Sequence, residues 1–281
     1  MERGPEDVVL RAVRLSQDAP AVLARIDVFG PAWLACGDEV CRLGVRSLWQ
    51  LQSAGPQGLV LSGASVPGWP PVRFEADVRD WAPGMAFELL DVDGGLRRRL
   101  QFRDARGRER LSLEWRDAVP VMAWERLLAC GSVSEDACAV SMPGSALAGP
   151  HGVPVAWRQG CETEVLHRVL HEAMLQRLLL QVEVCAGAAR MTAGFVPEQV
   201  DVCMRRHRLS VRGSQLDWGL DESRLAGLDR VGRISARGLC ERLEFGGGSG
   251  GDAPRACLGP LDRPGRGDPC GWRLALQQAL D

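Results

Sequence analysis

Three side chains that can bind a metal ion or move a proton lie close together near the middle of the sequence. Glu164, His167 and His171 are spaced i, i+3 and i+7, so in a helix all three project from one face. Neutral imidazole is a common ligand of metal ions, including iron. Glu-x-x-His alone is only part of a dinuclear site, and the sequence has no second copy. Two interpretations follow: a face that offers an imidazole ligand, or a solvated helix surface.

Arginine is the second residue type that could do chemistry. All 34 residues in the Lys+Arg total are Arg, because the sequence contains no Lys, and it also has no Tyr. Lysine Schiff bases and phenolic ligands are therefore excluded. The planar guanidinium fork binds both oxygens of a carboxylate. One run of arginines, 205–208 (RRHR), either holds an anionic ligand or coats a strand edge.

Other reactive constellations are missing from the sequence. There is no G-x-S-x-G elbow, and the 4 histidines do not accompany a catalytic cysteine motif. The 10 cysteines contain no C-x-x-C zinc pattern and are expected to be buried, reduced thiols. The glycine-rich tract 246–251 lacks the Lys-Ser/Thr of a phosphate-binding loop.

Composition limits the class of partner and the compartment. The net charge is −2 with a pI near 6.1, so nucleic acid is not expected as a partner. No apolar run is long enough to span a bilayer, so no membrane insertion is expected. Because residues 1–7 (MERGPED) lack the features of a secretory signal, we expect a cytoplasmic protein.

Hydrophobic patterning predicts a mixture of helices and short strands. Residues 6–24 are predicted as an amphipathic helix that Pro20 ends or kinks. Short apolar runs from Phe29 onward indicate an antiparallel sheet, and 96–115 is the clearest hairpin. Two further helices are predicted, a short one over 119–129 and a long one over 156–180. A linker rich in Gly, Ser, Pro and Ala is predicted between them, over about 131–155.

The two halves of the sequence resemble each other. Residues 99–102 (RLQF) correspond to 242–245 (RLEF), and each hairpin is followed by a Trp-bearing segment, 124–128 and 272–276. The ordered matches favour a duplication over two unrelated sheet segments. We therefore predict an α+β protein of two tandem, structurally similar repeats. Each repeat is an antiparallel sheet with flanking helices, with the repeats over residues 1–140 and 141–281.

The hairpin 96–115 (LRRRLQFRDARGRERLSLEW) resembles the RSLQFFDAxG hairpin of the hemin-degrading HemS/ChuX family of heme-utilisation proteins. Other segments resemble that family in the same order: 58–61, 74–86, 156–158, 182–196, 241–260 and 268–273. No single motif is specific, so the collinearity carries the resemblance. The relatives have additional N-terminal helices, so the resemblance implies a divergent, N-terminally shortened member.

The resemblance implies a heme pocket between the two halves, and it also reveals departures from the family. The family's axial histidine lies eight residues after the Ala of its AWR motif, and that count from Ala156 falls on Glu164. The histidine of the family's QIH strand corresponds to Thr192. Two histidines remain on that helix, His167 and His171, and either is a candidate iron ligand.

The resemblance also suggests partners for the rest of a heme group. Arg98 or Arg99 takes the place of the family's distal arginine, and Arg233 lies near its basic RKP pair. Phe102 is expected either to line the pocket or to belong to the core.

We therefore expect a cytoplasmic heme-binding protein of heme and iron utilisation, with heme as cofactor. If it is active, it would be a heme-degrading oxygenase supplied by an electron-donating reductase. Glu164 makes that activity doubtful. The alternative is a non-enzymatic scaffold or interaction protein that keeps the fold but has lost heme binding.

Overall fold

The computed structural model describes residues 8–37, 40–55, 58–64, 72–91, 93–133, 155–187, 189–235, 238–246, 256–261 and 268–280. The described residues form two compact units. The first contains those within Met1–Cys36, Arg46–Ala64 and Arg73–Ser145, and the second those within Gly37–Val45, Ser65–Val72 and Ala146–Asp281. Paired strands within each unit are antiparallel, and helices flank them, so the α+β prediction is confirmed. No helix in these ranges is long and apolar enough to cross a bilayer.

The first half of the chain contains ten strands and two α-helices among its described residues. The strands are β1 Val8–Leu15, β2 Ala32–Gly37, β3 Cys41–Ser47, β4 Trp49–Gly55, β5 Gly58–Gly63, β6 Val72–Ala76, β7 Met85–Leu90, β8 Leu96–Arg103, β9 Glu109–Trp115 and β10 Gly131–Val133. The helices are α1 Ala19–Leu23 and α2 Val121–Leu128, and a 3₁₀ turn covers Ile26–Phe29. Strands such as β2 bury every second residue, the period expected of a sheet with one covered face.

The second half of the chain has nine strands and two α-helices among its described residues. The strands are β11 Val155–Cys161, β12 Leu180–Ala186, β13 Ala189–Phe195, β14 Gln199–Cys203, β15 Arg208–Gly213, β16 Leu216–Asp221, β17 Leu228–Ser235, β18 Gly238–Phe245 and β19 Ala256–Pro260. The helices are α3 Thr163–Leu175 and α4 Pro269–Leu280, and 3₁₀ turns cover Met204–Arg206 and Glu222–Arg224.

The two halves repeat one topology. Each runs strand, helix, eight strands, helix in chain order, with β10 as an addition after the first half. Neighbouring strands follow the order β1-β7-β8-β9-β2 in the first unit and β11-β17-β18-β19-β12 in the second. The hairpins β8–β9 and β18–β19 therefore occupy equivalent positions, and the prediction of two similar repeats is confirmed.

The prediction of a helix over residues 6–24 is wrong for most of its length. Residues Val8–Leu15 form β1, which pairs with β7. Only α1 is helical, with Asp18 capping it and Pro20 in its first turn, so this proline begins a helix. The cause of the error is the β-branched content of the segment together with cross-strand pairing, which overrides a weak helical period.

The long predicted helix over 156–180 is also shorter than expected. Its first part forms β11, an edge strand paired with β17, and α3 starts only at Thr163. The helix ends where Arg177 adopts φ 53°, and the N–H of Leu178 then donates to the carbonyl of Ala173 over 2.9 Å. This is a Schellman motif, in which a backbone N–H just beyond the helix satisfies a carbonyl of its last turn. The short helix predicted over 119–129 is confirmed as α2.

Aromatic side chains fill the core of each unit. In the first unit Phe29 lies edge-on to Trp115 and to Trp124 of α2, with ring centroids 5.4 and 5.8 Å apart. In the second unit Trp218 and Phe245 are edge-on at 5.7 Å, and Trp272 of α4 is buried. Such pairs add specific geometry to the burial of apolar area. The Trp-bearing segments identified in the sequence therefore hold the helices against the sheets.

Candidate functional site

The helix α3 presents the histidine face predicted from the sequence. Its apolar residues Val165, Leu166, Val169, Leu170 and Ala173 are buried. Glu164 and His171 are exposed on the opposite side, while His167 lies half-buried at the boundary. Glu164 belongs to the first turn, where a carboxylate interacts favourably with the helix dipole.

The two imidazoles on α3 have different surroundings. The Nε2 atom of His167 forms a close contact with Glu222 Oε1, in the 3₁₀ turn Glu222–Arg224. The backbone N–H of Glu222 donates to the carbonyl of His207 over 2.7 Å. His171 has no hydrogen-bond or ion-pair partner among the described residues. One imidazole is therefore oriented by a carboxylate, and the other is free.

Arg98 and Arg99 lie on opposite faces of β8, as adjacent residues of a strand must. Arg98 is buried, with Nε 3.4 Å from Glu88 Oε1 and its guanidinium 5.7 Å from the Trp124 ring centroid. Only Arg99 lies on the polar face of the strand, where its Nη2 donates to Glu114 Oε2 over 2.7 Å. Of the two alternatives for a distal arginine, Arg99 is the more accessible.

Glu114 is the centre of a charged cluster on that polar face. Arg99 and Arg116 both donate to its carboxylate, each over 2.7 Å, and Arg97 Nη1 lies 3.8 Å from it. Burial raises the pKa of Glu114, but the hydrogen bonds from Arg116 and Arg99 outweigh burial, so its pKa lies below the usual value. Several guanidiniums therefore share this one carboxylate.

Phe102 belongs to the core of the first unit. Its side chain is fully buried, 5.7 Å from the Trp81 ring in centroid separation. A Cβ atom on Gly84 would lie only 2.6 Å from the Phe102 ring, so the glycine is needed for this packing. The contacts with Trp81 and Gly84 support the core role predicted for Phe102, and a contact with heme stays a prediction.

Arg233 is buried beside an equally buried carboxylate. Its Nε and Nη2 atoms lie 2.7 and 2.6 Å from Glu244 Oε1, and the Glu244 side chain is 1% exposed. Glu244 also accepts from Arg158 Nη2 over 3.0 Å and lies 3.3 Å from Arg242 Nε. Arg233 therefore has a structural partner on the neighbouring strand.

The described residues fit a heme group only in part. Imidazoles on α3 can serve as an iron ligand. By contrast, Arg98, Arg99 and Arg233 each already lie beside a carboxylate, which a propionate would have to displace or share. The predicted residues fall into separate groups: β8 holds the three of the first unit, while α3 and β17 hold those of the second. Within the described ranges, no three His, Cys, Asp or Glu side chains are placed to hold a metal ion.

Sequence reasoning missed two residues that determine these surroundings. Glu222 lies 55 residues from His167 in sequence, and nothing local indicates that the two meet. The sequence did contain a signal for Glu244. Arg242 and Glu244 are two residues apart, so in a strand their opposite charges lie on the same face. The charge spacing in the RLEF segment could therefore have indicated an ion pair on one face of that strand.

The fold defines a class of α+β proteins made of two similar repeats. No protein-family model matches the sequence, and no curated protein matches it by sequence. Solved structures do match. Holo-PhuS, a heme-binding protein from Pseudomonas aeruginosa, is 17% identical with a TM-score of 0.77, over 95% of this chain and 86% of that one. ChuS, an E. coli heme oxygenase, is 16% identical with a TM-score of 0.76, over 97% and 90% of the two chains. The resemblance expected from the sequence is thus confirmed at the level of the fold.

Proposed function

We propose that this chain is a cytoplasmic heme-binding protein of heme and iron utilisation, with little or no heme-degrading activity. The observation that carries the proposal is the likeness of fold to holo-PhuS and ChuS over nearly the whole chain. The imidazoles on α3 add a chemical reason, because the fold alone does not determine function.

The iron ligand in this proposal is His171 or His167. His171 is exposed and has no partner within the described ranges. His167 would bind through Nδ1, or through Nε2 after release of Glu222. A carboxylate beside the second ring nitrogen orients a ligating histidine and raises its basicity. Glu164, at the family's ligand position, is a harder and weaker partner for heme iron than imidazole.

The arginines are expected to affect heme degradation more than heme affinity. Heme, when bound, would supply the iron that binds oxygen, with electrons from a reductase. Arg99 or Arg233 could reach a propionate or a bound ligand only by giving up part of its contact with Glu114 or Glu244. That exchange costs the interaction already made, so we expect weak polar assistance and slow or absent degradation.

A hemin titration followed by the Soret band tests the proposal. We expect saturable, near-stoichiometric binding by the unmodified protein, with a weaker or shifted Soret band in His171→Ala or His167→Ala. The matched control is His207→Ala, which removes an exposed histidine from another turn of the same unit. If absorbance stays diffuse and non-saturating, or if all three variants behave alike, the α3 histidines do not bind heme.

The alternative function is a non-enzymatic scaffold that has lost heme binding. Its support is that Arg98, Arg99 and Arg233 each already lie beside a carboxylate, together with an exposed glutamate at position 164. Non-saturating absorbance in the titration would favour this alternative.

We also infer that the duplicated segments are residues 1–140 and 141–281. The repeated element order supports this division, because α2 and α4 end equivalent series. The predicted linker lies mostly in 134–154, outside the described residues. Limited proteolysis that cuts first within this segment would support the inference, and first cuts elsewhere would contradict it.

A further inference from the structure

An exposed basic turn connects β14 to β15 in the second unit. This 204–208 turn has the sequence Met-Arg-Arg-His-Arg, and all five residues are exposed, with Met204 63% exposed. Its three arginines carry three positive charges within four residues. The turn is thus a compact cationic surface with one exposed thioether side chain at its start.

The arginines of this turn differ from those of the neighbouring sheet. Arg158, Arg230, Arg233 and Arg242 each lie beside a carboxylate. Arg205, Arg206 and Arg208 have no side-chain ion pair or hydrogen bond with any described residue. Asp221, opposite Arg208 in the ladder, instead accepts from the backbone and hydroxyl of Ser223.

The backbone holds this turn in a defined conformation. His207 adopts φ 47°, in the left-handed region, and its N–H donates to the Met204 carbonyl over 3.3 Å. Its carbonyl accepts from Glu222, and the next residue but one, Leu209, is fully buried. The side chains are therefore presented on an anchored frame, which lowers the entropic cost of binding.

We propose that the 204–208 turn docks an acidic segment of a partner protein. Arginine recognises carboxylates bidentately, and three uncompensated guanidiniums attract a segment with several Asp or Glu side chains. Met204 adds an adaptable apolar contact of the kind found at protein-binding surfaces. A nucleic acid or an anionic membrane is disfavoured, because three charges on one turn of a chain with net charge −2 give a weak long-range field. This proposal does not depend on heme binding.

Fluorescence anisotropy with a labelled Glu-rich peptide tests the docking surface on the full apo chain. We expect binding that weakens as salt rises, and a loss of about tenfold or more in Arg205→Glu/Arg206→Glu. The matched control is Arg25→Glu/Arg126→Glu, which makes the same charge change at exposed arginines of the other unit. The control should bind within about twofold of the unmodified protein.

Three results would overturn the proposal. One is no measurable binding of the peptide by the unmodified chain at low salt. Another is equally weakened peptide binding in both double variants, because the effect would then come from the net charge of the chain and not from the 204–208 turn. The third is tighter binding to phosphatidylserine vesicles or to a single-stranded oligonucleotide than to the peptide. Circular dichroism of both variants checks that the exposed substitutions leave the fold intact.

Discussion

Removing the charge of Glu244 is expected to destabilise the second unit strongly. Glu244→Gln keeps the size of the side chain but leaves the Arg233 guanidinium without its neighbouring carboxylate charge. The Arg233 side chain is only 10% exposed, so water cannot replace the lost interaction, whereas Arg158 is 45% exposed and can turn outward. Breaking a buried ion pair from one side costs about 3–5 kcal/mol.

Chemical denaturation measures this loss, with an exposed pair as the control. Glu125 of α2 pairs with Arg11 at 3.1 Å, and the two side chains are 50% and 41% exposed. Glu125→Gln is therefore expected to cost about 0–1 kcal/mol. For a unit of this size, the loss at Glu244 corresponds to a fall of roughly 6–20 °C in Tm.

A double variant separates the structural role of Arg233 from its predicted role toward heme. Arg233→Met/Glu244→Leu removes both charges and should recover most of the stability lost in Glu244→Gln. The reasoning is refuted if Glu244→Gln stays within about 1 kcal/mol of the unmodified protein. It is equally refuted if Arg233→Met alone leaves stability unchanged while lowering heme affinity, since Arg233 would then be available to a propionate.

Three further predictions concern the ligand, acid stability and the thiols. Glu164→His should raise heme affinity in the hemin titration, because it restores imidazole at the family's ligand position; unchanged affinity would contradict that assignment. Because the pKa of Glu114 is lowered in the folded state, its carboxylate stabilises the fold above about pH 4.5, and this stability is lost as pH falls through the folded-state pKa. The free energy of unfolding of Glu114→Gln should therefore depend less steeply on pH in the acid range. The same pH dependence in the variant and the unmodified protein would contradict this prediction. Burial raises the pKa of Cys185 to about 12 and that of Cys257 well above its usual value. Mass spectrometry after alkylation at pH 8 should therefore find exposed Cys203 and Cys270 modified long before either, and equal rates would contradict the burial argument.

The elements with strict periodicity could be predicted from the sequence. The hairpin 96–115 is found as β8 and β9, with the predicted turn between them, and β5 covers the GLVLSG run. In the hairpin, Leu100 and Phe102 alternate with polar residues, as Leu111, Leu113 and Trp115 do, and Asp104 follows the first strand, so local pattern and tertiary environment agree. The duplication was visible for the same reason, because the RLQF and RLEF segments occupy equivalent strands.

The first strand of each half could not be predicted. Both β1 and β11 begin a repeat and lie beside the seventh strand of their own half, whereas the hydrophobic pattern predicts helix for both. The strand β11 lies at the edge of its sheet among the described strands, and β1 has a second neighbour, β10, only over its last three residues. A strand with so little cover lacks the alternation that marks a central strand. Its conformation is determined by ladder hydrogen bonds to a strand some 70 residues away, as in the pairing of Arg158 with Val231.

The contacts made by the candidate site residues could not be predicted from the sequence. The histidine face of α3 follows from helical spacing, while the carboxylates beside His167 and Arg233 come from other strands and turns. Each polar group that is buried needs such a partner, and the partner can come from any part of the chain. A residue type that suits a ligand therefore also suits an internal ion pair, and only the surroundings distinguish the two.

In the proposed function, Glu164 is the reason to expect heme binding without heme degradation. Moving an iron ligand from residue 164 to His167 or His171 displaces it by about 4.5 or 10.5 Å along the helix axis. Iron affinity needs only one accessible imidazole, and α3 provides one at either position. Oxygen activation also needs a polar group at a fixed place across the iron, so it depends on the register between two elements. A shift of one helical turn preserves the first requirement and disturbs the second. Arg98 and Arg99, the predicted distal arginines, already lie beside Glu88 and Glu114. Under the proposed function we therefore expect heme binding without the chemistry performed on heme.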